Sequence, residues 1–418
     1  MLEPSVVATG AAQTTDLGNT IYLRYLDHPR HVSRFISAVN RILRAAYPGV
    51  IVDATDAGRA FPNACVPITA IIQLLRDRGL QVDVRSRGFP DRARFGQPLP
   101  ATPQTLAAET DPISRVWLFQ DEKMVNDLVT ALSHSIMERI ECGPGVMESF
   151  EWSLNEVMDN VLQHSQASAG YAMVQVHAAT KRLAICVADF GLGIYGTLAQ
   201  SVHKPRSAVD AITMAVKEGV TRDTKIGQGN GLWGLLQIVE NNDGRLHITS
   251  GEGALFIRGR GVQTFSPLPF IDTAHRGTIV DFQIDANRPI DIAGLLRGHK
   301  PVNPTLESLE TDTGEHLIRI RDHAHGTGTR RAAQQIRNIV TNILNEGASR
   351  IILDFSGVAI VSSSFADEFI GKLVVRYGFV GFQSLIHLRN MNEAVQGIVH
   401  RSVAQRMMEG IQDGQDTR

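Results

Sequence analysis

Three polar segments interrupt an apolar stretch of the chain that runs from residue 151 to residue 235. They are LNEVMDNVLQHS (154–165), VADFGLGI (187–194) and GQGNGLWGL (227–235). The residues around them alternate between strand-like and helix-like apolar patterns, which predicts an α/β fold. The three polar segments are therefore expected to lie where strands and helices of one α/β unit begin or end.

The first segment has the spacing of one helix face. Glu156 and Asn160 are four residues apart, so both project from the same side of a helix. A carboxylate here can accept a proton from a nucleophile, and a carboxamide oxygen can bind a Mg²⁺ ion that bridges phosphates. His164 continues this face, although a single histidine on a helix is usually structural. Asn155 and Asp159 form a second pair with the same spacing, so an exposed polar helix face is an alternative.

The second segment follows the apolar run AICVAD (184–189), which predicts a buried strand ending at Asp189. Gly191 and Gly193 allow the backbone to turn tightly beneath a flat ligand. A buried carboxylate at the end of a strand is suited to accept a hydrogen bond from an exocyclic amine such as the adenine N6. This segment therefore predicts the base-binding end of a nucleotide site.

The third segment is rich in glycine and lies just before the apolar helix LWGLLQIVE (232–240). Its glycines are Gly227, Gly229, Gly231 and Gly234. Unpaired amide groups at the start of a helix can hold phosphates, so this segment predicts a phosphate-binding loop.

Together these segments resemble the GHKL family, the ATP-binding fold shared by gyrase, MutL, histidine kinases and anti-sigma-factor serine kinases. The resemblance covers roughly residues 121–286 and includes a fourth element, Gly277 and Thr278 at the start of TIVDFQI (278–284). It implies an α/β sandwich with a mixed sheet, and it implies ATP and Mg²⁺ as the ligands. Glu156 would be the general base, Asn160 the Mg²⁺ ligand and Asp189 the adenine-binding residue.

Further residues take part in ATP binding if the resemblance holds. They are His164, Gly191, Gly193, Gly227, Gly229, Asn230, Gly231, Leu232 and Thr278. KEGVT (217–221) ahead of the glycines resembles the lids of soluble anti-sigma-type domains, so Arg222 and Lys225 would meet the γ-phosphate. Two solvated basic residues in a polar loop are the simpler alternative.

The residue type at position 156 separates branches of this family. Histidine kinases usually have asparagine there, whereas a carboxylate can activate water or a serine hydroxyl. LSHSIMERI (132–140) resembles a histidine-kinase phosphoacceptor box around His134. Glu156 follows only 22 positions later, which leaves no room for a dimerisation unit between the two boxes, so we expect a packing helix instead.

The flanking regions predict two smaller α/β units. A polar tail (1–16) precedes a possible STAS-like module (17–92), and a proline-bearing linker (93–112) leads to the ATP-binding domain (113–298). A second linker (299–315) precedes a STAS-like domain (316–418).

The C-terminal resemblance rests on DFSGVAIVSSSFADEF (354–369), which is similar to a STAS strand, turn and helix. Anti-sigma-factor antagonists of that fold carry a phosphorylatable serine at this turn, and Ser363 aligns with it. The acidic residue and the glycine that usually flank that serine are replaced by Ser362 and Phe365. An N-cap role for a serine at 362–364 is therefore favoured over phosphoacceptance.

Composition limits the setting. The chain has 41 basic and 43 acidic residues in 418, without a basic block, so neither nucleic acid nor a membrane surface is expected as its partner. Three scattered cysteines argue against a disulfide framework or a zinc site. No apolar run approaches the roughly 20 residues of a membrane span, and no signal peptide begins the chain, so a cytoplasmic setting is expected.

These patterns predict an ATP-binding signalling protein, with an Mg²⁺-dependent ATPase switch as the first hypothesis. A serine kinase that acts on a STAS-type partner, or on Ser363 itself, is the second. A non-catalytic adaptor is the third. A regulatory protein partner is expected in each case, and homodimerisation is left open.

Overall fold

The computed structural model of the chain describes six ranges of residues: 16–220, 230–258, 261–265, 276–298, 303–324 and 326–415. The architecture is α/β, as the sequence pattern predicts, with three sheets among these residues. No described helix is both long enough and apolar enough to cross a membrane.

The N-terminal unit is a four-stranded sheet with two long helices. Its elements are β1 (Asp16–Leu17), β2 (Thr20–Tyr22), α1 (Arg30–Arg44), β3 (Gly49–Ala54), α2 (Pro62–Asp77) and β4 (Gln81–Ser86). The strand order is β1-β2-β3-β4, and β2, β3 and β4 are parallel. Alternate residues of β3 are buried, which is the pattern of a strand with one face on a core.

The central unit is built on an eight-stranded mixed sheet with the order β11-β10-β9-β12-β8-β7-β6-β5. Its first elements are α3 (Phe89–Arg92), β5 (Leu99–Pro100), α4 (Pro103–Ala108), β6 (Trp117–Phe119), α5 (Glu122–Arg139), α6 (Val146–His164), β7 (Gly170–His177) and β8 (Arg182–Asp189). The rest are α7 (Gly193–Ala199), α8 (Ala208–Ala215), α9 (Gly231–Asn241), β9 (Arg245–Ser250), β10 (Gly253–Arg258), β11 (Gly261–Phe265), β12 (Thr278–Asp285) and α10 (Ile292–Leu295).

Strands β7 and β8 of this sheet are covered by other elements on both faces. On β8, Ile185 and Val187 belong to the core that α5, α6 and α9 cover, whereas Cys186 and Ala188 belong to the core of the N-terminal unit. Helix α2 packs directly on β7 and β8 from that second side. The continuous apolar runs of these strands follow from this double coverage.

The C-terminal unit is a three-stranded parallel sheet of order β13-β14-β15. Its elements are α11 (Pro304–Glu307), β13 (His316–Arg319), α12 (Ile320–His323), α13 (Arg330–Asn345), β14 (Ile351–Asp354), α14 (Ser363–Ala366), a π-helical turn (Asp367–Gly371), α15 (Lys372–Leu385), β15 (Ile386–Arg389) and α16 (Glu393–Gln415). Helix α13 packs on α5 of the central unit.

Two segments form strands that the sequence pattern does not reveal. Leu99 and Pro100, within the predicted linker, pair in parallel with β6 through main-chain hydrogen bonds. Residues 261–265 pair with β10 as β11. Every side chain of β11 is exposed, so this strand is recognised by its pairing and not by a buried pattern.

Candidate functional site

Helix α6 presents three of the predicted residues to one cavity of about 530 Å³. Glu156, Asn160 and His164 all line it, one helical turn apart from each other. Burial, with a smaller contribution from the nearby Asp159 carboxylate, raises the pKa of the Glu156 carboxyl to about 7. A carboxyl with a pKa near neutrality can both take up and release a proton at physiological pH.

Asn160 has an unmet hydrogen-bonding group. Its Nδ2 is buried and has no hydrogen-bond partner among the described residues. Buried polar atoms in folded proteins nearly always have a partner, so an orphaned carboxamide beside a cavity indicates a position for a ligand. The oxygen and nitrogen of an amide can exchange places by rotation, so this group can offer either atom to the cavity.

Asp189 lies at the end of β8, where the strand delivers its carboxylate to the cavity wall. Its Oδ1 accepts a hydrogen bond of 2.8 Å from the Gly191 N–H. Burial raises the pKa of Asp189 to about 7, while the N–H groups of Gly191 and Thr278 act in the opposite direction. The acid is fully buried, and its remaining acceptor capacity can serve a ligand.

The turn after Asp189 requires glycine at two positions. A Cβ on Gly191 would collide with the Ser165 carbonyl oxygen at the end of α6. Gly193 has a φ of +70°, and a Cβ there would press on Ser250 Oγ. Gly193 lines the cavity and Gly191 does not. The carbonyl oxygen of Gly191 accepts a hydrogen bond from the Gly277 N–H at 3.0 Å.

Ser250, the last residue of β9, connects the start of β12 to the start of α7. Its hydroxyl donates to the Gly277 carbonyl oxygen at 2.8 Å, accepts from the Ile194 N–H at 2.8 Å, and lies 3.2 Å from Thr278 Oγ1. Thr278 itself lines the cavity and is the β12 residue paired with Asp189 in the sheet. Ser250 therefore holds the base of the cavity in place without lining it.

The start of α9 lies directly against α6. Gly231 is the first helical residue, and a Cβ there would collide with the Glu156 carboxylate and approach Asn160. Asn230 makes no side-chain cap bond, because its Oδ1 accepts from the Gly219 N–H at 3.2 Å instead. The first helical hydrogen bond is made by the Gly234 N–H, which leaves the N–H groups before it for a ligand.

Residues from the far end of the unit complete the mouth of the cavity. Arg297, which follows α10, is a lining residue and has a φ of 55°, an uncommon backbone conformation for a residue other than glycine. Its guanidinium lies 2.7 Å from Glu218 Oε2 and 5.8 Å from the centre of the Trp233 ring. Glu218 and Trp233 also line the cavity.

The structure brings most of the predicted site residues around this one cavity. Those that line it are Glu156, Asn160, His164, Asp189, Gly193, Asn230, Gly231, Leu232 and Thr278. Four others, Arg222, Lys225, Gly227 and Gly229, lie outside the described residues. No group of three or more His, Cys, Asp or Glu side chains in the described ranges could hold a metal ion.

Sequence reasoning missed several lining residues, and the reasons differ. Trp152 lies four residues before Glu156, so the spacing argument that selected Glu156 would also have selected it. Trp233 lies inside the third motif and was passed over as an apolar helix residue. Arg297 has no motif around it and reaches the cavity only through the fold.

His134 is in a packing position and not at the cavity. Its Nε2 lies 3.3 Å from His323 Nδ1 in the C-terminal unit and 3.5 Å from Glu138 Oε1 on its own helix. These contacts agree with the interpretation of α5 as a packing helix and give no support to a phosphoacceptor role.

Comparison with known families bears on one part of the chain. Residues 332–396 match a STAS-like domain of unknown function (DUF4325). The C-terminal unit is STAS-like. No curated protein sequence matches the chain.

The serine turn of the STAS-like unit divides its roles between neighbouring residues. Ser362 is the N-cap of α14, and its Oγ accepts from the Phe365 N–H at 3.0 Å. The same hydroxyl contacts the Gly328 carbonyl oxygen at 3.1 Å. Ser363 is the first helical residue and is exposed. The expected cap thus falls on Ser362, and the hydroxyl of Ser363 faces solvent.

Proposed function

We propose that the central unit binds ATP with Mg²⁺ in the manner of the GHKL family and that the chain is an ATP-dependent signalling switch. One observation carries this proposal: residues of all four sequence motifs line a single cavity. Motifs separated by more than a hundred residues would not converge in this way if each had only a local structural role.

At the inner end, Asp189 would bind the adenine. Its carboxylate is fully buried, is oriented by the Gly191 N–H, and has capacity left for a donor such as an exocyclic amine. Guanine presents a carbonyl where adenine presents this amine, so a carboxylate discriminates against it. ATP is therefore the expected nucleotide and GTP the disfavoured one.

At the outer end, the first amides of α9 would hold the phosphates. Gly231 permits them to approach Glu156 and Asn160 closely, because any side chain there would fill the gap. The orphaned carboxamide of Asn160 fits a Mg²⁺ ligand, with the phosphates supplying further oxygens. Bound Mg²⁺ would neutralise the phosphate charge.

Glu156 would act as the general base. With a pKa near 7, its carboxylate takes the proton of a water molecule as the water oxygen bonds to the γ-phosphorus. The bond from that phosphorus to the bridging oxygen breaks, and ADP leaves with the electron pair. Inorganic phosphate is the second product.

A serine hydroxyl can replace the water in the same step, which would make the protein a serine kinase. The exposure of Ser363, with the cap bond assigned to Ser362, favours this second candidate. The acceptor would be Ser363 itself or the matching serine of a STAS-type partner protein. The products would then be phosphoserine and ADP.

Incubation with Mg²⁺ and γ-labelled ATP separates these possibilities, preceded by calorimetric titration with ATP and with GTP. We expect ATP to bind and GTP to bind at least about tenfold more weakly. Released phosphate supports the switch, and labelled protein supports the kinase. Binding without either product supports a non-catalytic adaptor, and absence of ATP binding contradicts the proposal.

Glu156→Gln provides the sharper test, because it keeps the size of the side chain and removes the base. Turnover should fall by roughly 10²- to 10⁴-fold while the Kd for ATP changes little. Glu240→Gln is the matched control, since Glu240 is exposed near the C-terminal end of α9 and does not line the cavity. Equal losses in both variants would remove Glu156 from its assigned role.

A further inference from the structure

Helix α6, which carries Glu156 and Asn160, cannot cap its own N-terminus. The N-cap position is Gly145, with a φ of 70°, and no side chain is present there to accept from the first turn. A Cβ at this position would collide with the Ile290 carbonyl oxygen, so no capping residue fits. Two amide groups of the first turn, those of Met147 and Glu148, therefore need an acceptor from elsewhere.

The STAS-like unit supplies that acceptor. The carboxylate of Glu346, at the C-terminal end of α13, accepts from the Met147 N–H at 3.1 Å and from the Glu148 N–H at 3.4 Å. Burial raises the pKa of Glu346 to about 8, against the two amide hydrogen bonds, and the carboxylates of Glu148 and Glu151 also raise it. Because this partly buried acid accepts from two adjacent N–H groups, the contact fixes the position of α13 relative to the first turn of α6.

The same helix clamps the connection between α5 and α6. Asn342 accepts from the Cys142 N–H at 2.7 Å and donates to the carbonyl oxygens of Met137 and Ile140. Asn338 donates to the Glu138 carbonyl oxygen at 3.0 Å, one turn earlier on α13. Asn345 donates to the Cys142 carbonyl oxygen at 2.7 Å. This row of side chains fixes where α6 begins.

The start of α6 and the cavity are linked by a continuous helix. Glu156 follows Met147 by nine residues, which is about 14 Å along the axis at the helical rise. A helix of this length moves as a body, so a shift or rotation at Met147 is carried to Glu156 and Asn160. Trp152, halfway between them, packs against Gly234 of α9 beside the cavity.

We propose that Glu346 is a positioning residue for the ATP site, through which the STAS-like unit sets the placement of Glu156 and Asn160. This inference rests on the proposed function of the central unit. A partner that moves α13 would withdraw the cap and lower the affinity for ATP. Because coupling is reciprocal, bound ATP would strengthen the contact between α13 and α6.

Glu346→Ala in the full-length chain tests the proposal. We expect the Kd for Mg²⁺-ATP to rise about tenfold, the change that corresponds to loss of a helix cap. Glu346→Gln keeps an acceptor oxygen and should restore most of the affinity. Glu315→Ala is the matched control, because Glu315 pairs with Arg350 inside the STAS-like unit and should leave ATP binding unchanged.

Hydrogen exchange without nucleotide provides a second measurement that does not depend on ATP. In Glu346→Ala, amides of α6 from residue 147 through residue 160 should exchange faster, while β7 and β8 keep their protection. Faster exchange confined to residues 147 and 148, with wild-type ATP affinity, would overturn the proposal. If the wild-type chain itself fails to bind ATP while exchange in α6 responds to Glu346, the ATP assignment fails and the cap stands.

Discussion

The two flanking units are attached to the central unit by different balances of contact. The N-terminal dock is α2 on β7 and β8, where most α2 side chains are apolar and buried. The C-terminal dock is α13 on the α5–α6 connection, where asparagine and glutamate side chains meet backbone groups. Both units are small and α/β, yet the C-terminal dock depends more on directional contacts; on the N-terminal side, the Gln175 side chain donates to the Ala60 carbonyl oxygen at 2.6 Å.

This difference determines how precisely each dock fixes the position of its unit. Apolar contacts are not directional, so the N-terminal dock can stabilise the sheet but distinguishes poorly between small changes in position. Hydrogen bonds weaken steeply when their distances and angles change, so the C-terminal dock reports small displacements of α13. We therefore expect the N-terminal dock mainly to stabilise the fold and the C-terminal dock mainly to fix the position of α13 against α5 and α6.

The largest effect is expected from a charge in the N-terminal dock. Cys65 of α2 is fully buried close to Cys186 of β8, so Cys65→Asp would place a carboxylate between two apolar layers. We expect a loss of more than about 4 kcal/mol of unfolding free energy, or no folded protein. Chemical denaturation and soluble yield measure this.

Cys65→Ala is the control for that substitution, because it removes the sulfur without adding a polar group. Its cost should stay near about 1 kcal/mol. Similar losses in the two variants would mean that volume and not burial of charge controls this dock, and the contrast between the docks would weaken.

A smaller effect is expected from Asn342→Leu in the C-terminal dock. The substitution leaves the Cys142 N–H and the carbonyl oxygens of Met137 and Ile140 without their partner. We expect a loss of about 3 kcal/mol, since each unpaired buried group costs about 1–3 kcal/mol. Gln334→Leu, on the exposed side of the same helix, should change stability by less than about 0.5 kcal/mol. Equal stability of Asn342→Leu and wild type would contradict a directional dock.

The smallest effect is a difference in pH dependence. Burial raises the pKa of Glu346 from 4.5 to about 8 and that of Asp281, beside Asn63 of α2, from 3.8 to about 7. Between the unfolded and the folded pKa of each group, the folded state binds more protons than the unfolded state. The stability that each group contributes is therefore present at lower pH and is lost as pH rises through the folded pKa. From pH 7 to 8, Glu346→Gln should therefore flatten the decline more than Asp281→Asn. Thermal unfolding across pH measures both, and identical profiles would refute the distinction.

Much of the central fold follows from local patterns. The run 184–189, predicted as a buried strand that ends at Asp189, lies within β8, because long apolar runs bounded by turn residues are strong signals. Lys181 has a φ of 52° in the turn between β7 and β8. Strands β5 and β11 were missed, because main-chain pairing alone recruits them.

The site shows the same division. Spacing on one helix selected Glu156, Asn160 and His164, and all three line the cavity. Neither Arg297 nor Ser250 could be found by helix spacing, because each comes close to the cavity only after elements distant in sequence have packed together. Glu346 was missed for a further reason: an acid at the end of one helix gives no sign that it caps a helix about 200 residues earlier in the chain.

The double coverage of β7 and β8 has a consequence for how such a chain could be divided. Deletion of residues 17–92 would expose a contiguous apolar patch to water, formed by Tyr171, Met173, Cys186 and Ala188. The cavity that Glu156 and Asp189 line is on the other side of these strands, so an excised central unit would be prone to self-association through the newly exposed face. The amino-terminal unit is thus one of the two layers that bury these strands. Recombination that exchanged it for an unrelated module would have to supply an apolar helix of matching shape.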